Sequence, residues 1–335
     1  MTDEEKQKIL GRKPTPNMYY RLDDYRYSTT PKDRVLSGIQ ELDSNISGFE
    51  MGCITLWTGF TNAGKTTVMT TMAKRTIDQG ERIFFFNGEQ TKEDFKNNLY
   101  IQCVDSKFLI HKQYKNSGIE DTFVMPEKAT ELEKMYGNKI YVYNNEMDRS
   151  INSLLYAMEE LRKTQKIRVF FLDNFMQIDV ASENVYLEQT AIMEKLRTFA
   201  INNRVHIHLV AHPRKIERNQ VRLSLYDIAG SSNMVNKAYN IIAIMRTDNL
   251  KKDSKSYEKL EAEMVQEGYD INCVDTILEV LKTKGKSCGL VGLKYDKEKK
   301  TYTEAPHLTS EAKEKKIHEH KHQEIEEPKQ EELPW

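Results

Sequence analysis

The sequence predicts an α/β fold with a mostly parallel central sheet, helices on both of its faces and an antiparallel edge. Three features carry this expectation. Continuous apolar runs recur along the chain, without the alternation of a half-solvated strand, as strands covered on both faces require. Stretches of helical periodicity separate most of them, as crossovers between parallel strands do. The last runs are joined by short turns, too short for a crossover, which makes them antiparallel.

Taken in order, Cys53–Thr58 (CITLWT) reads as a buried strand and Lys65–Asp78 as a helix. Arg82–Asn87 (RIFFFN) is the next strand, and Thr91 with Asp94 has the spacing of a helix N-cap. Ile151–Thr164 reads as an amphipathic helix, Arg168–Asp173 (RVFFLD) as a strand and Leu187–Asn203 as a helix. Val205–His212, Asn240–Arg246, Asp275–Leu281 and Leu290–Tyr295 are the remaining strands, Leu290–Tyr295 the last. Two stretches read as insertions. Lys107–Tyr136 is polar and irregular, and Asn249–Asp270 is charged enough for a surface loop or a short solvated helix. These elements set one domain over residues 35–305, with an arm (1–34) before it and a tail (306–335) after it.

The arm carries Tyr19, Tyr20, Tyr25 and Tyr27 among Pro14, Pro16 and Pro31. It is either a leader without structure or an arm that docks its tyrosines on another surface. The tail holds eight Glu against five Lys and is expected to lack regular structure. Its His318, His320 and His322 read as solvated side chains.

Composition excludes several classes. Fifty Lys and Arg against 51 Asp and Glu leave a net charge of −1, so a uniformly basic nucleic-acid coat is excluded and a local basic groove is not. The 4 Cys form no C-x-x-C pair, which argues against a zinc knuckle and for a reducing compartment. No run approaches the roughly 18 apolar residues of a membrane span. No apolar stretch follows the charged start Met1–Lys6, so no signal peptide is expected and the cytoplasm is the expected location.

The strongest local signal is Gly59-Phe60-Thr61-Asn62-Ala63-Gly64-Lys65-Thr66, a match to G-x-x-x-x-G-K-[ST] between a strand and a helix. Gly59 and Gly64 allow a tight turn whose N–H groups, with Thr61, Asn62, Ala63 and Thr67 around them, face phosphate oxygens at the positive end of the helix. Lys65 is expected on the β- and γ-phosphates and the Thr66 hydroxyl on Mg²⁺. Asp173, ending an apolar strand, is the second acidic element on the metal side. Glu89, just past Arg82–Asn87, either polarises an attacking water as general base or is a surface residue beside the helix that starts at Thr91. An Asn-Lys-x-Asp guanine-reading motif is absent, which favours ATP, or a loosely selected NTP, over GTP.

With those residues stated, the chain resembles the helicase domain of hexameric replicative DNA helicases: DnaB, the helicase half of phage primase-helicases, and Twinkle. The resemblance runs over about residues 35–304. It begins at Val35–Asp43 and Gly48-Phe49-x-x-Gly52. It continues through Leu172-Asp173-Asn174 with Gln177, and Leu209–Lys215 (LVAHPRK), which is close to the Twinkle pattern. Asp227-Ile228-x-Gly230-Ser231 and Lys282-Thr283-Lys284 complete it. The resemblance implies a RecA-like P-loop core and an ATP-driven ring, a homo-hexamer that translocates on single-stranded DNA with ATP at subunit interfaces. It implies Glu89 as base, Asp173 on the metal side and His212 as the sensor of the γ-phosphate. It implies Arg214, Lys215 and Arg218 in a channel loop on DNA phosphates, and Arg246 and Tyr295 beside the nucleotide base. The basic pair Lys282 and Lys284 would reach a neighbour's nucleotide, Lys284 standing where the family normally has Arg; Ala229 and the position of Gln177 also depart from close relatives. The cysteines do not form a primase zinc site.

Two other classes use the same P-loop, Glu89 and Asp173: a RecA- or KaiC-like recombination or regulatory ATPase, and an ATP-gated DNA-binding scaffold that does not unwind. The acidic tail, ending in Trp335, reads either as a docking peptide for a polymerase or other replisome protein or as a solubilising tail.

Overall fold

Strand register decides where every candidate residue falls. The structure, a computed structural model, describes residues 29–114, 118, 120–180, 185–214, 220, 222–229, 232–250 and 254–326. The chain divides into two units, Met1–Lys32 and Asp33–Trp335. The tyrosines of the arm, Lys215, Arg218, Gly230, Ser231 and Trp335 lie outside the described residues. The regular elements of the described residues all fall in the second unit.

That unit opens with β1 (Arg34–Val35), α1 (Gln40–Ile46) and β2 (Phe49–Glu50), β1 and β2 forming a small antiparallel pair. β3 (Ile54–Gly59), α2 (Lys65–Asp78), β4 (Ile83–Asn87) and α3 (Lys92–Gln102) come after it. Next are β5 (Leu109–Gln113), β6 (Glu120–Val124), α4 (Pro126–Tyr136), β7 (Ile140–Val142), α5 (Ile151–Thr164), β8 (Val169–Asp173), α6 (Val185–Asn203) and β9 (His206–Val210). The remainder is α7 (Ser232–Lys237), β10 (Asn240–Arg246), α8 (Lys255–Gln266), β11 (Thr276–Lys282), β12 (Leu290–Asp296), β13 (Thr301–Glu304) and α9 (Ser310–Glu326).

Nine strands make one sheet in the order β13-β12-β11-β10-β3-β9-β8-β4-β7. From β7 to β10 every pairing is parallel; β11, β12 and β13 add an antiparallel edge. The expected α/β architecture is what forms. β3, β4, β8 and β9 are buried at every residue, as unbroken apolar strands between two helical layers must be. The crossover from β3 through α2 to β4 passes over β9 and β8, so the carboxyl ends of these strands open one crevice.

Two histidines sit in the middle of this sheet. His208 is level with Phe171 on β8, which is level with Phe85 on β4, and the three rings stack in a row. His208 Nδ1 accepts from Trp57 Nε1 at 3.2 Å. His206 faces the Glu50 carbonyl at 2.8 Å and the Thr55 hydroxyl at 3.1 Å. Burial pushes His206 down to about 4 and His208 well below the ordinary histidine value. A buried neutral imidazole resists protonation that the unfolded chain accepts, so its contribution is full above about pH 6.5 and is lost as pH falls toward 4. His206→Gln should therefore lessen the loss of unfolding free energy between pH 7 and pH 4.5 by about 2–3 kcal/mol. Urea unfolding at the two pH values measures it; an unchanged difference would refute the assignment.

The structure departs from the sequence reading in four places. Lys107–Tyr136 is not irregular: β5 and β6 pair as a hairpin, and α4 starts with Pro126 in its first turn. Asn249–Asp270 is not merely solvated. α8 buries Tyr257, Leu260, Met264 and Val265, most of them in a small separate core with Tyr269, Ile277 and Leu290. Leu290–Tyr295 is not the last strand, since Thr301–Glu304 pairs beyond it. The tail is helical through Glu326. No Gly or Pro interrupts Ser310–Glu326, its Glu and Lys lie at helical spacings, and Lys313 and Lys316 reach Gln266 O and Asp270.

Candidate nucleotide site

The loop leaving β3 is shaped by close approach. At Gly59 a Cβ would lie 2.6 Å from the Ile244 carbonyl of β10, so the strands meet here only without a side chain. Gly64 has φ +85° and faces the Tyr302 hydroxyl, which a Cβ would strike. Both requirements select glycine. Thr61 and Asn62 are exposed, Ala63 is packed into the core, and Thr66 and Thr67 are partly buried at the start of α2. Lys65 is buried, and its ammonium donates to Gly59 O at 3.0 Å and Phe60 O at 2.9 Å. Burial lowers its pKa, against the pull of Asp173 and Glu89. The lysine is thus folded back on the carbonyls of its own loop.

Asp173, at the end of β8, is 3% exposed. Burial pushes its carboxyl up to about 6; a hydrogen bond with Thr66 and the charge of Lys65 pull it down, and Glu89 adds to the rise. Its Oδ2 has no hydrogen-bond partner among the described residues. A buried carboxylate oxygen left open beside a threonine hydroxyl is what a hard divalent cation completes, so these residues fit Mg²⁺.

Glu89 and His212 converge from the ends of β4 and β9, on either side of β8. Asn87, at the end of β4, accepts from the N–H groups of Glu89 and Gln90 at 3.2 and 3.0 Å and so shapes the turn that presents Glu89. His212 Nε2 lies 3.4 Å from Glu89 Oε1. Between them sits Asn174, to which the sequence alone assigns no role. Its Nδ2 donates to Glu89 Oε1 and lies 2.9 Å from His212 Nε2. The one signal in the sequence is its place directly after an acidic strand end.

A second group gathers at the end of β10. Arg246 ends β10 two residues past the level of Gly59. Its guanidinium is forked by Asp248, which raises its pKa, and Tyr295 and Tyr302 lie in its field. The rings of Tyr295 and Tyr302 are 5.0 Å apart. Arg246 and Tyr295 thus lie within reach of each other's charge. Tyr302, buried against Gly64, has no place in the sequence reading because the short strand holding it is not predicted.

Lys282 and Lys284 are not brought to this crevice. β11 runs antiparallel, so Lys282 pairs with Ile241 at the start of β10, whereas Arg246 is at its far end. Lys282 donates to the carbonyls of Val235 (2.7 Å) and Asn236 (3.1 Å) in α7. Lys284 is exposed, 6.0 Å over the Tyr239 ring. Arg214 is anchored by its N–H to Asp227 O at 2.6 Å and its Nε to Ile228 O at 3.2 Å. Pro213 pairs with Ile228, so one short bridge closes the base of the segment between them.

A strand, glycine loop and helix with acidic groups at adjacent parallel strand ends define the fold of a RecA-like P-loop nucleotide-binding domain. The model of the DnaB-like helicase C-terminal domain matches residues 35–304, and the chain belongs to that family. Solved structures agree on the fold. A replicative helicase of DnaB type, described with its interactions with primase, has a TM-score of 0.64 at 18% identity, over 82% of this chain and 64% of that one. A solved ATPase domain gives 0.64 at 17% identity, over 82% and 92%. A KaiC-like protein from the archaeon Pyrococcus horikoshii gives 0.53 at 17%, over 82% and 100%. No curated protein matches the chain. No helix among the described residues is long and apolar enough to cross a membrane.

Proposed function

We propose that this chain is an ATP-driven replicative DNA helicase that assembles as a ring, a homo-hexamer, and translocates on single-stranded DNA. The observation that carries the reading is a division of labour across the sheet. Lys65, Asp173, Glu89 and His212 meet at the carboxyl ends of β3, β8, β4 and β9, while the basic turn of Lys282–Lys284 sits at the opposite end of β10. A site completed from the far side of a neighbouring subunit uses both ends; a monomeric ATPase has no use for the second.

In this reading Lys65 leaves the loop carbonyls for the β- and γ-phosphates, which the N–H groups at the start of α2 also cradle. Thr66 and Asp173 would hold Mg²⁺, which would supply positive charge beside the phosphates. Glu89 accepts the proton of the attacking water. His212 reads the γ-phosphate at the root of the segment carrying Arg214, Lys215 and Arg218, which would contact DNA phosphates. Arg246 and Tyr295 flank the base. The tail would dock a polymerase or another replisome protein.

Turnover of ATP with and without single-stranded DNA, wild type beside Glu89→Gln, with sizing of the same samples, tests the reading. DNA-stimulated turnover in a ring, reduced by at least about 10²-fold in Glu89→Gln, is expected. Turnover indifferent to DNA, or a stable monomer, would move the function to a regulatory ATPase or an ATP-gated scaffold.

A further inference from the structure

We infer that Asn174 is a positioning residue that ties the general base to the DNA segment, by holding Glu89 and His212 with the two N–H groups of one amide. This rests on the proposed roles of Glu89 as base and of the segment after His212 as the DNA contact.

Asn174 is 1% exposed, and its amide orientation is fixed. Its Oδ1 accepts from Met176 N–H at 2.8 Å, capping the short turn Phe175–Gln177. The acceptor end is therefore occupied, and Nδ2 must face the crevice. There it faces Glu89 Oε1 and His212 Nε2, which is a second acceptor in the imidazole tautomer that carries its proton on Nδ1. A primary amide has two N–H groups and no more, so both are used only while His212 Nε2 offers its lone pair. Any shift that withdraws His212 leaves Asn174 with Glu89 alone. A buried donor without a partner is costly, so the two contacts hold each other in place.

The other side of His212 is attached to the DNA segment. Its carbonyl accepts from Ala229 N–H at 2.9 Å, Pro213 pairs with Ile228, and Arg214 N–H donates to Asp227 O. The segment between Arg214 and Asp227 leaves this bridge at one end and returns to it at the other. Arg222 fixes the returning part to Glu279 and Glu263. A pull on the segment thus acts at Pro213–Ile228, one residue from His212, and through Asn174 on the carboxylate that must take a proton from water. A carboxylate accepting an N–H is a weaker base than a released one. Binding of DNA phosphates at the segment then changes the base without touching the nucleotide.

The test uses the full chain with a poly-dT oligonucleotide as probe. Asn174→Ser keeps a side-chain acceptor for Met176 N–H and removes Nδ2; Asn174→Asp keeps the acceptor at full length. Turnover with DNA divided by turnover without it should fall to about one in both, with KM for ATP changed by less than about twofold. His212→Ala should show the same loss, and Asn174→Ser with His212→Ala should be no worse than either alone, as residues of one linkage behave. If Asn174→Ser does not fold, Asn174→Asp, which has the size of the amide and keeps the acceptor for Met176 N–H, decides alone. Wild-type stimulation retained in Asn174→Ser, or losses that multiply in the double variant, would overturn the inference while leaving the helicase reading intact, provided Glu89→Gln is inactive and wild type responds to DNA. A wild type that ignores DNA would overturn both.

Discussion

Asp173→Asn should give a protein more stable than the wild type and nearly unable to hydrolyse ATP. Burial raises this carboxyl from 3.8 to about 6, which at pH 7 corresponds to about 3 kcal/mol of strain carried by the ionised form in the absence of a cation. The substitution removes the charge but brings two N–H groups in its place, with Thr66 as an acceptor, so the net gain should be about 1–2 kcal/mol. Here the sign is opposite to that of the histidines. A carboxyl with a raised folded pKa costs nothing below about pH 4, and its cost grows as pH rises to about 6 and then levels off. The gain of Asp173→Asn should track the same curve. Urea unfolding of both proteins without Mg²⁺ or nucleotide, from pH 4 to pH 8, measures it; an Asn variant less stable at pH 8 would show that the charge is compensated by something else. Loss of a carboxylate on the metal side removes several kcal/mol of charge stabilisation, on the order of 10³-fold in turnover. Added Mg²⁺ with nucleotide should stabilise the wild type more than the variant.

This opposition between stability and activity explains which parts of the molecule can be read from the sequence. β3, β4, β8, β9 and β10 are legible because burial on both faces forces unbroken apolar runs such as RIFFFN and RVFFLD. Gly59, Gly64 and Lys65 are legible because the turn between β3 and α2 allows few residue types at fixed spacing. β7 and β13 are not, because Ile140–Val142 and Thr301–Glu304 are short strands at the two edges of the sheet and only partly buried. α9 is hidden because Glu and Lys at helical spacing look like a solvated coil when only their charge is counted. Asn174 is hidden for a different reason: an amide acquires its role from two partners on other strands, Glu89 85 residues and His212 38 residues away, and neither separation leaves a mark on local spacing. The basic pair shows the reverse. Lys282 and Lys284 look equivalent in the sequence, and only the fold separates them.

That separation makes Lys284 the group expected to act on a neighbour's ATP, and Lys284→Ala should lower turnover by about 10²–10³-fold, the lower range for a trans cation because Lys cannot fork onto two phosphate oxygens. Lys282 is committed to the carbonyls of α7. The turn between them is pinned: Thr283 Oγ1 donates to Asn240 Oδ1 at 2.8 Å, and the N–H groups of Lys286 and Ser287 donate to Asn45 O. Gly285 lies so close to the Ile46 carbonyl that a Cβ would sit 2.5 Å from it. Lys284 thus projects into solvent from a turn held to the body of the domain, with its ammonium over Tyr239. A cation aimed outward from the end of the sheet opposite its own P-loop cannot serve that P-loop without rearranging the sheet. Subunit mixing separates trans from cis. Lys65→Ala and Lys284→Ala subunits should each be inactive alone. Where the two kinds sit side by side, one interface pairs an intact Lys65 with a neighbour's intact Lys284, so mixtures should regain turnover, greatest near equal proportions. Two inactive proteins that stay inactive on mixing, while sizing shows mixed rings, would place the action of Lys284 within its own chain or in folding. Lys284→Arg completes the comparison: if the fork is what the lysine lacks, its turnover should exceed that of the wild type.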